Sequence, residues 1–284
     1  MDFKNPTAEV FIPDGLSEPE ALSRVTHLGI GAHQDDLEFM AIHGILACYQ
    51  SETQHFAGVT CTDGAGSART GPYARFTDEQ MRTIRRKEQD LAAQIGHYGA
   101  MIQLDHPSAA VKDPNGAALR DDLMEVLRAT RPCVVYTHNL ADKHDTHIGV
   151  AVAVIHAMRA LPLDVRPQAV HGCEVWRNLD WMPDSEKLVH DVGHRDNLAA
   201  ALNGVFDSQI AGGKRYDLAV MGRRHANATF FESHAVDRTD SVAFAMDLTP
   251  LVRDASLDIT DYVDGLIGSF RNEVIAKLRT RLGR

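Results

Sequence analysis

Residues 25–50 read VTHLGIGAHQDDLEFMAIHGILACYQ, and this stretch decides the fold. Residues 25–30 form a short apolar run, the pattern of a buried strand. GAHQDDLE follows as a polar turn, and FMAIHGILACYQ carries the apolar density of a helix. The same order repeats downstream. Residues 55–61 (HFAGVTC), 100–104, 132–137 (PCVVYT) and 169–176 read as strands, and PCVVYT has the continuous apolar character of a central parallel strand. Helices are predicted over 77–95, 117–129, 148–161, 197–210 and 257–282, the first with a capping signal at Thr77 and Asp78. Alternation of this kind predicts an α/β protein with a Rossmann-like three-layer α/β/α fold, a mostly parallel sheet and a decorated C-terminal third. The first ~23 residues, with Pro6, Pro13 and Gly15, read as an extended lead-in. No repeat, linker or low-complexity segment divides residues 1–284, so one domain is expected.

Bulk properties narrow the function. Hydrophobic residues make up 44% of the chain and charged residues 24%, enough for a sizeable core. A formal charge of −10 argues against a nucleic-acid-binding surface, which needs clustered Lys and Arg. No export signal is read at the N-terminus, and no run approaches the ~18–20 apolar residues that span a bilayer. Cys48, Cys61, Cys133 and Cys173 form no CxxC pair. Cys61 and Cys133 fall in strand-like runs where buried thiols are expected. The expectation is a reduced cytoplasmic protein without a membrane or nucleic-acid partner.

Two polar clusters follow predicted strands. In the first, His33 and Asp36 are three residues apart and can face one point, an imidazole and a carboxylate suited to Zn²⁺ or Fe²⁺. Asp35 points elsewhere, free to act as a base toward a water. Alone, these acids read equally well as the opening of a helix, where negative charge suits the macrodipole. The second cluster holds His138, Asp142, His144, Asp145 and His147 within ten residues. Two clusters on one sheet edge supply the third ligand that one lacks. The expected metal site is His33, Asp36 and His147, with a position left open.

These residues resemble the PIG-L/LmbE-type zinc N-deacetylases. The resemblance rests on Ala32-His33-Gln34-Asp35-Asp36-Leu37-Glu38, the His144-x-x-His147 pair and Arg85-x-x-Glu88, and covers roughly the first 150 residues. It implies a Rossmann-like fold and hydrolysis of N-acetylglucosamine-containing compounds. It makes His33, Asp36 and His147 the metal ligands and Asp35 the general base. His144 becomes the histidine that stabilises or protonates the tetrahedral intermediate, and Arg85 lies near the substrate. Two positions depart from the family pattern. Gln34 replaces a proline, which is expected to loosen the turn, and Thr146 replaces an aspartate. Asp142 or Asp145 is therefore expected to orient His144. Zinc is the expected ion, although two histidines and an aspartate also suit Fe²⁺ or another divalent metal.

Other signals are weaker. Residues 63–69 (DGAGSAR) lack the ending of a P-loop and read as a substrate-contacting loop, with Arg69 available to a hydroxyl or an anion. Arg82, Arg85, Arg86 and Lys87 read mostly as a solvated helix face. Trp176 and Arg177 follow a strand and are candidate sugar contacts, against an equal reading in which both tryptophans pack the C-terminal third. Residues 222–228 and 231–234 read as polar loops. The expected function is removal of an N-acetyl group from an acetylated amino sugar or its conjugate, a small-molecule partner. The alternatives are hydrolysis of another amide or acyl substrate and a non-catalytic sugar-binding protein. A homo-oligomer is compatible with the sequence.

Overall fold

The computed structural model describes Met1–Arg284. Its strands are β1 (Glu9–Phe11), β2 (His27–Gly31), β3 (Phe56–Thr62), β4 (Ala100–His106), β5 (Val134–His138), β6 (Ala169–Cys173), β7 (Lys187–Asp191) and β8 (Val242–Asp247). The first helices are α1 (Glu18–Ser23), α2 (Asp36–Met40), α3 (Ile42–Cys48), α4 (Asp78–Ile95), α5 (Ser108–Val111) and α6 (Ala118–Thr130). The remainder are α7 (Asp145–Arg159), α8 (Asp196–Gly204), α9 (Asp207–Ile210), α10 (Tyr216–Phe230), α11 (Thr249–Arg253) and α12 (Ile259–Arg281).

The strands form one sheet in the order β1-β4-β3-β2-β5-β6-β8-β7. The five central strands from β4 to β6 are parallel, whereas β1, β8 and β7 each pair antiparallel with their neighbours. Alternation of side chains gives the sheet two buried faces. Leu28, Ile30, Val59, Ile102 and Val135 pack with α6, α7 and α11 on one side. Phe56, Met101 and Tyr136 pack with α2, α3, α4 and α8 on the other. The three-layer expectation holds.

Glycines let α2 lie close against the sheet. A Cβ at Gly58 would meet Leu37 Cδ1 at 2.6 Å, and one at Gly31 would meet Asp36 Cβ at 3.0 Å. Asp36 is thereby pressed against the end of β2.

Several local expectations are corrected. The helix predicted after the first motif begins inside it, at Asp36, and breaks at Ala41 into α2 and α3. Helix α7 starts at Asp145, so His147 sits in its first turn rather than ahead of it. Residues 222–228 lie within α10 and are not a loop, because a solvent-facing helix needs few apolar residues. Residues 197–210 divide into α8 and α9. Cys133 precedes β5 and is exposed, while the other three thiols are buried. No helix is long and apolar enough to cross a membrane.

Candidate functional site

Sheet order reverses around β2: the chain moves to β3 and β4 on one side and returns to β5 on the other. Open parallel sheets bind ligands at such a switch point, beyond the carboxyl ends of the strands. Both motifs leave the sheet there. His33 Nδ1 lies 3.3 Å from Asp36 Oδ2 and 3.2 Å from His147 Nε2, which is 3.5 Å from Asp36 Oδ1. Four donors at ~2.0–2.1 Å around a tetrahedral ion stand about 3.3–3.4 Å apart, so the spacing matches that edge. Asp142 Oδ2 lies 3.1 Å from His147 Nδ1 and holds the proton on that nitrogen, leaving the Nε2 lone pair facing the centre. Burial lowers the His147 pKa, but Asp36 and Asp142 outweigh it and raise it, so the point on which these atoms converge favours positive charge. The donor set therefore fits a zinc-type divalent ion.

His138 forms a second possible group with Asp36 and His147. It is fully buried and its Nε2 is 3.3 Å from Asp36 Oδ2. That nitrogen accepts the Ala32 N–H at 2.9 Å, so its lone pair is committed to holding the motif in place.

The adjacent carboxyls are driven in opposite directions. Burial raises the Asp35 carboxyl well above the ordinary range; Arg85, 3.5 Å away, opposes the rise, and the Asp36 and Glu38 charges add to it. Burial also acts against ionisation of Asp36, but His147 and His138 outweigh it and hold that carboxyl well below its usual range. Neighbouring acids pushed apart in this way are suited to different tasks. Asp35 has φ of 108°, a left-handed conformation, and its Oδ1 lies 3.5 Å from the Arg85 guanidinium. Its N–H donates to Gln89 Oε1 at 3.2 Å, and Gln89 Nε2 donates to the buried Glu38 carboxylate at 2.9 Å. Arg85 donates to the Gln34 carbonyl at 2.5 Å and to Ser67 Oγ. Gln34 does not loosen the turn. Its buried side chain donates to the Thr62 carbonyl at 3.1 Å and ties the motif to β3.

His144 is the N-cap of α7, and its Nδ1 accepts the Thr146 N–H at 3.3 Å. This backbone donor, absent from the sequence expectation, fixes the tautomer and leaves Nε2–H as the donor of the neutral ring. Burial and the neighbouring His147 lower its pKa. Asp142 serves His147 and accepts the His144 backbone N–H at 2.9 Å, and Asp145 is exposed. Neither acid takes the expected part of orienting the His144 ring.

A cavity of about 450 Å³ opens over this cluster, lined by His33, Asp35, Asp36, Arg85, His144 and His147 together with Ser67, Lys112, Trp176, Gln209, Lys214 and Tyr216. Trp176 and Arg85 are thus at the cavity. Arg69 is not: its guanidinium donates to the Phe76 and Ala65 carbonyls and pairs with Asp78, clamping its own loop. Arg177 is exposed outside the cavity, its backbone N–H bound by Glu174. The sequence reading missed Gln89, Lys112, Lys214 and Tyr216. Gln89 was within reach, being one helical turn beyond Arg85. The other three carry no motif and arrive through the tertiary fold.

Residues 28–158 match the PIG-L family, described as GlcNAc-PI de-N-acetylase. This segment, just under half of the chain, is similar to that family. It contains both motifs and all three convergent donors. No curated protein matches the chain by sequence. Among solved structures, N,N'-diacetylchitobiose deacetylase from Pyrococcus horikoshii is 17% identical, with a TM-score of 0.62 over 87% of this chain and 91% of that one. The 4-carboxy-2-hydroxymuconate hydratase GalB from Pseudomonas putida is 18% identical, with a TM-score of 0.60 over 79% of this chain and 96% of that one. A conserved protein of Thermus thermophilus is 19% identical, with a TM-score of 0.58 over 78% and 94%. These likenesses show that the matched segment and much of the C-terminal third share one fold with proteins of differing chemistry.

Proposed function

We propose that the protein is a metal-dependent N-deacetylase that hydrolyses the acetamide of an N-acetylglucosamine-type sugar or conjugate. The observation that carries this reading is the convergence of His33 Nδ1, the Asp36 carboxylate and His147 Nε2 at 3.2–3.5 Å, beside an Asp35 driven the opposite way. The family match over residues 28–158 and the deacetylase among the structural neighbours support it. A divalent ion held by these three residues, with zinc the first choice, would acidify a water, polarise the acetamide carbonyl and keep Asp35 ionised. Asp35 takes the proton of the attacking water and passes it to the departing amine. His144 donates its Nε2–H to the oxygen that becomes negative. Arg85 holds the backbone of Gln34 and limits the movement of Asp35. Trp176 and Tyr216, with ring centroids 5.9 Å apart, offer an aromatic wall to the sugar ring. Four unpaired cysteines fit a reducing compartment such as the cytoplasm.

The test is release of amine and acetate from N-acetylglucosamine glycosides by the purified protein. The expected result is activity abolished by a chelator and restored by Zn²⁺. Addition of water to an unsaturated acid, as the hydratase name in this fold suggests, would release no acetate; metal-replete protein inactive on every acetylamino sugar would reject the deacetylase reading.

A further inference from the structure

A second cavity of about 340 Å³ adjoins the first and shares Phe39, Val175, Trp176, Lys214 and Tyr216 with it. The two spaces have different chemistry. Over the metal donors the lining is mainly polar, whereas most of the annex lining is hydrophobic, with Met40, Ala219, Val220, Val242 and Phe244 contributing. Phe39 and Tyr216, 5.6 Å apart, stand between them with Trp176. The annex is also cationic. Arg224 is only 3% exposed, and its guanidinium donates to the Glu38 and Phe39 carbonyls at 2.7 and 3.1 Å, with no carboxylate in ion-pair contact. Lys214 lies with its ammonium 4.7 Å from the Trp176 ring centroid and likewise has no acidic partner. Arg215, also on the lining, is neutralised by Asp217 at 2.7 Å. The one lining carboxylate, Glu174, accepts from Asn139 Nδ2 at 3.2 Å and from the Arg177 N–H, and the lining Arg223, which donates to the Val175 carbonyl, balances its charge. Asp196 acts on Arg224 only from beyond ion-pair contact, and a buried cation with no carboxylate against it, set in an apolar wall, favours an occupant that brings negative charge on an apolar body. A pocket of this size holds one ring with its substituent.

We infer that the annex binds the aglycone of the substrate, an aromatic or alicyclic ring carrying a carboxylate, while the sugar occupies the metal compartment. This rests on the deacetylase reading for the sugar half only. The annex itself is tested by binding.

Two measurements separate the ideas. Amine release is compared for the methyl, 4-methylphenyl and 4-carboxyphenyl glycosides of N-acetylglucosamine. In parallel, 4-carboxyphenyl β-glucoside, which has no acetamide, is titrated against tryptophan fluorescence. The expected order of kcat/KM is carboxyphenyl above methylphenyl above methyl, with about tenfold between the first and last. The glucoside should quench fluorescence, and filling the annex by Ala219→Trp, read by competition calorimetry, should cut its affinity about tenfold. Ala219 is exposed, so the larger ring does not disturb the core. Lys214→Gln should bring carboxyphenyl and methylphenyl closer together. Binding that persists without any amine release would keep the annex and reject the deacetylase. Equal rates on all three glycosides, with glucoside affinity unchanged by Ala219→Trp, would reject the annex and keep the deacetylase.

Discussion

Asp35 carries two demands at once. Its backbone adopts φ of 108°, where β-carbon crowding is relieved best in Gly and Asn, and its carboxyl is the proposed proton carrier. Asp35→Asn separates the two, because the amide keeps the shape and size of the acid and tolerates the left-handed region. We expect the variant to keep its metal content and melting temperature while turnover falls by about 10²–10⁴-fold, the usual worth of a positioned base. Undiminished turnover would remove Asp35 from the chemistry. Asp35→Ala is a poorer test, since it adds backbone strain to the loss of the acid. At this scale the sequence was informative about which residues gather. His33, Asp36 and His147 were legible because both motifs follow apolar strands at one sheet edge. The bonding of His144 was not, because the donor that fixes its ring is the backbone of Thr146, a group every residue but proline possesses.

Among the elements, α4 joins the first motif to α9. One face of it sends Arg85 and Gln89 to the first motif, and Glu88 to α9, where its carboxylate accepts the Ser208 N–H at 2.8 Å and the Ser208 hydroxyl at 2.6 Å. Ser208 is fully buried, so Glu88→Ala strands both donors. We expect a loss of about 1–3 kcal/mol in unfolding free energy, partly recovered by Glu88→Gln, which still accepts one of them. A denaturation midpoint unchanged in the alanine variant would contradict this. Helix α4 was visible in the sequence because its capping box, Thr77 with Gln80, is local chemistry. Strands β7 and β8 were not, since KLVHD has the look of a polar loop until β8 supplies its partner. For the same reason α10 was missed: only Arg224 and Asn227 of its fifteen residues are buried.

Across the whole molecule, acid sets a limit through a column of buried histidines outside the donor set. His43 and His190 stack at 4.1 Å, His190 and His171 at 4.9 Å, and His43 Nδ1 meets the Tyr136 hydroxyl at 2.9 Å. Burial lowers His171 to about 4 and His190 to about 3, with the charges of the neighbouring rings adding to the effect and Asp247 opposing it at His171. Both folded values lie below the ~6.5 of an unfolded histidine, so the unfolded chain binds protons that the native one refuses. Their contribution to stability is whole above about pH 6.5 and is lost as pH falls through 4 and 3. Melting temperatures between pH 7 and 4.5 should therefore drop less steeply in His190→Gln than in the wild type. Parallel slopes would assign acid sensitivity to other groups.

The site draws on residues made at different times. All three donors are in the chain once His147 has been added, whereas Trp176, Lys214 and Tyr216, which wall the cavity, come later. Chains fold from the N-terminus during synthesis, at about 5–20 residues per second. The interval between His147 and Tyr216 is then several seconds or more, in which the ion's ligands exist without the walls that shape a substrate site. A divalent ion reaching His33, Asp36 and His147 in that interval would meet them before α9 and α10 supply the walls of the cavity.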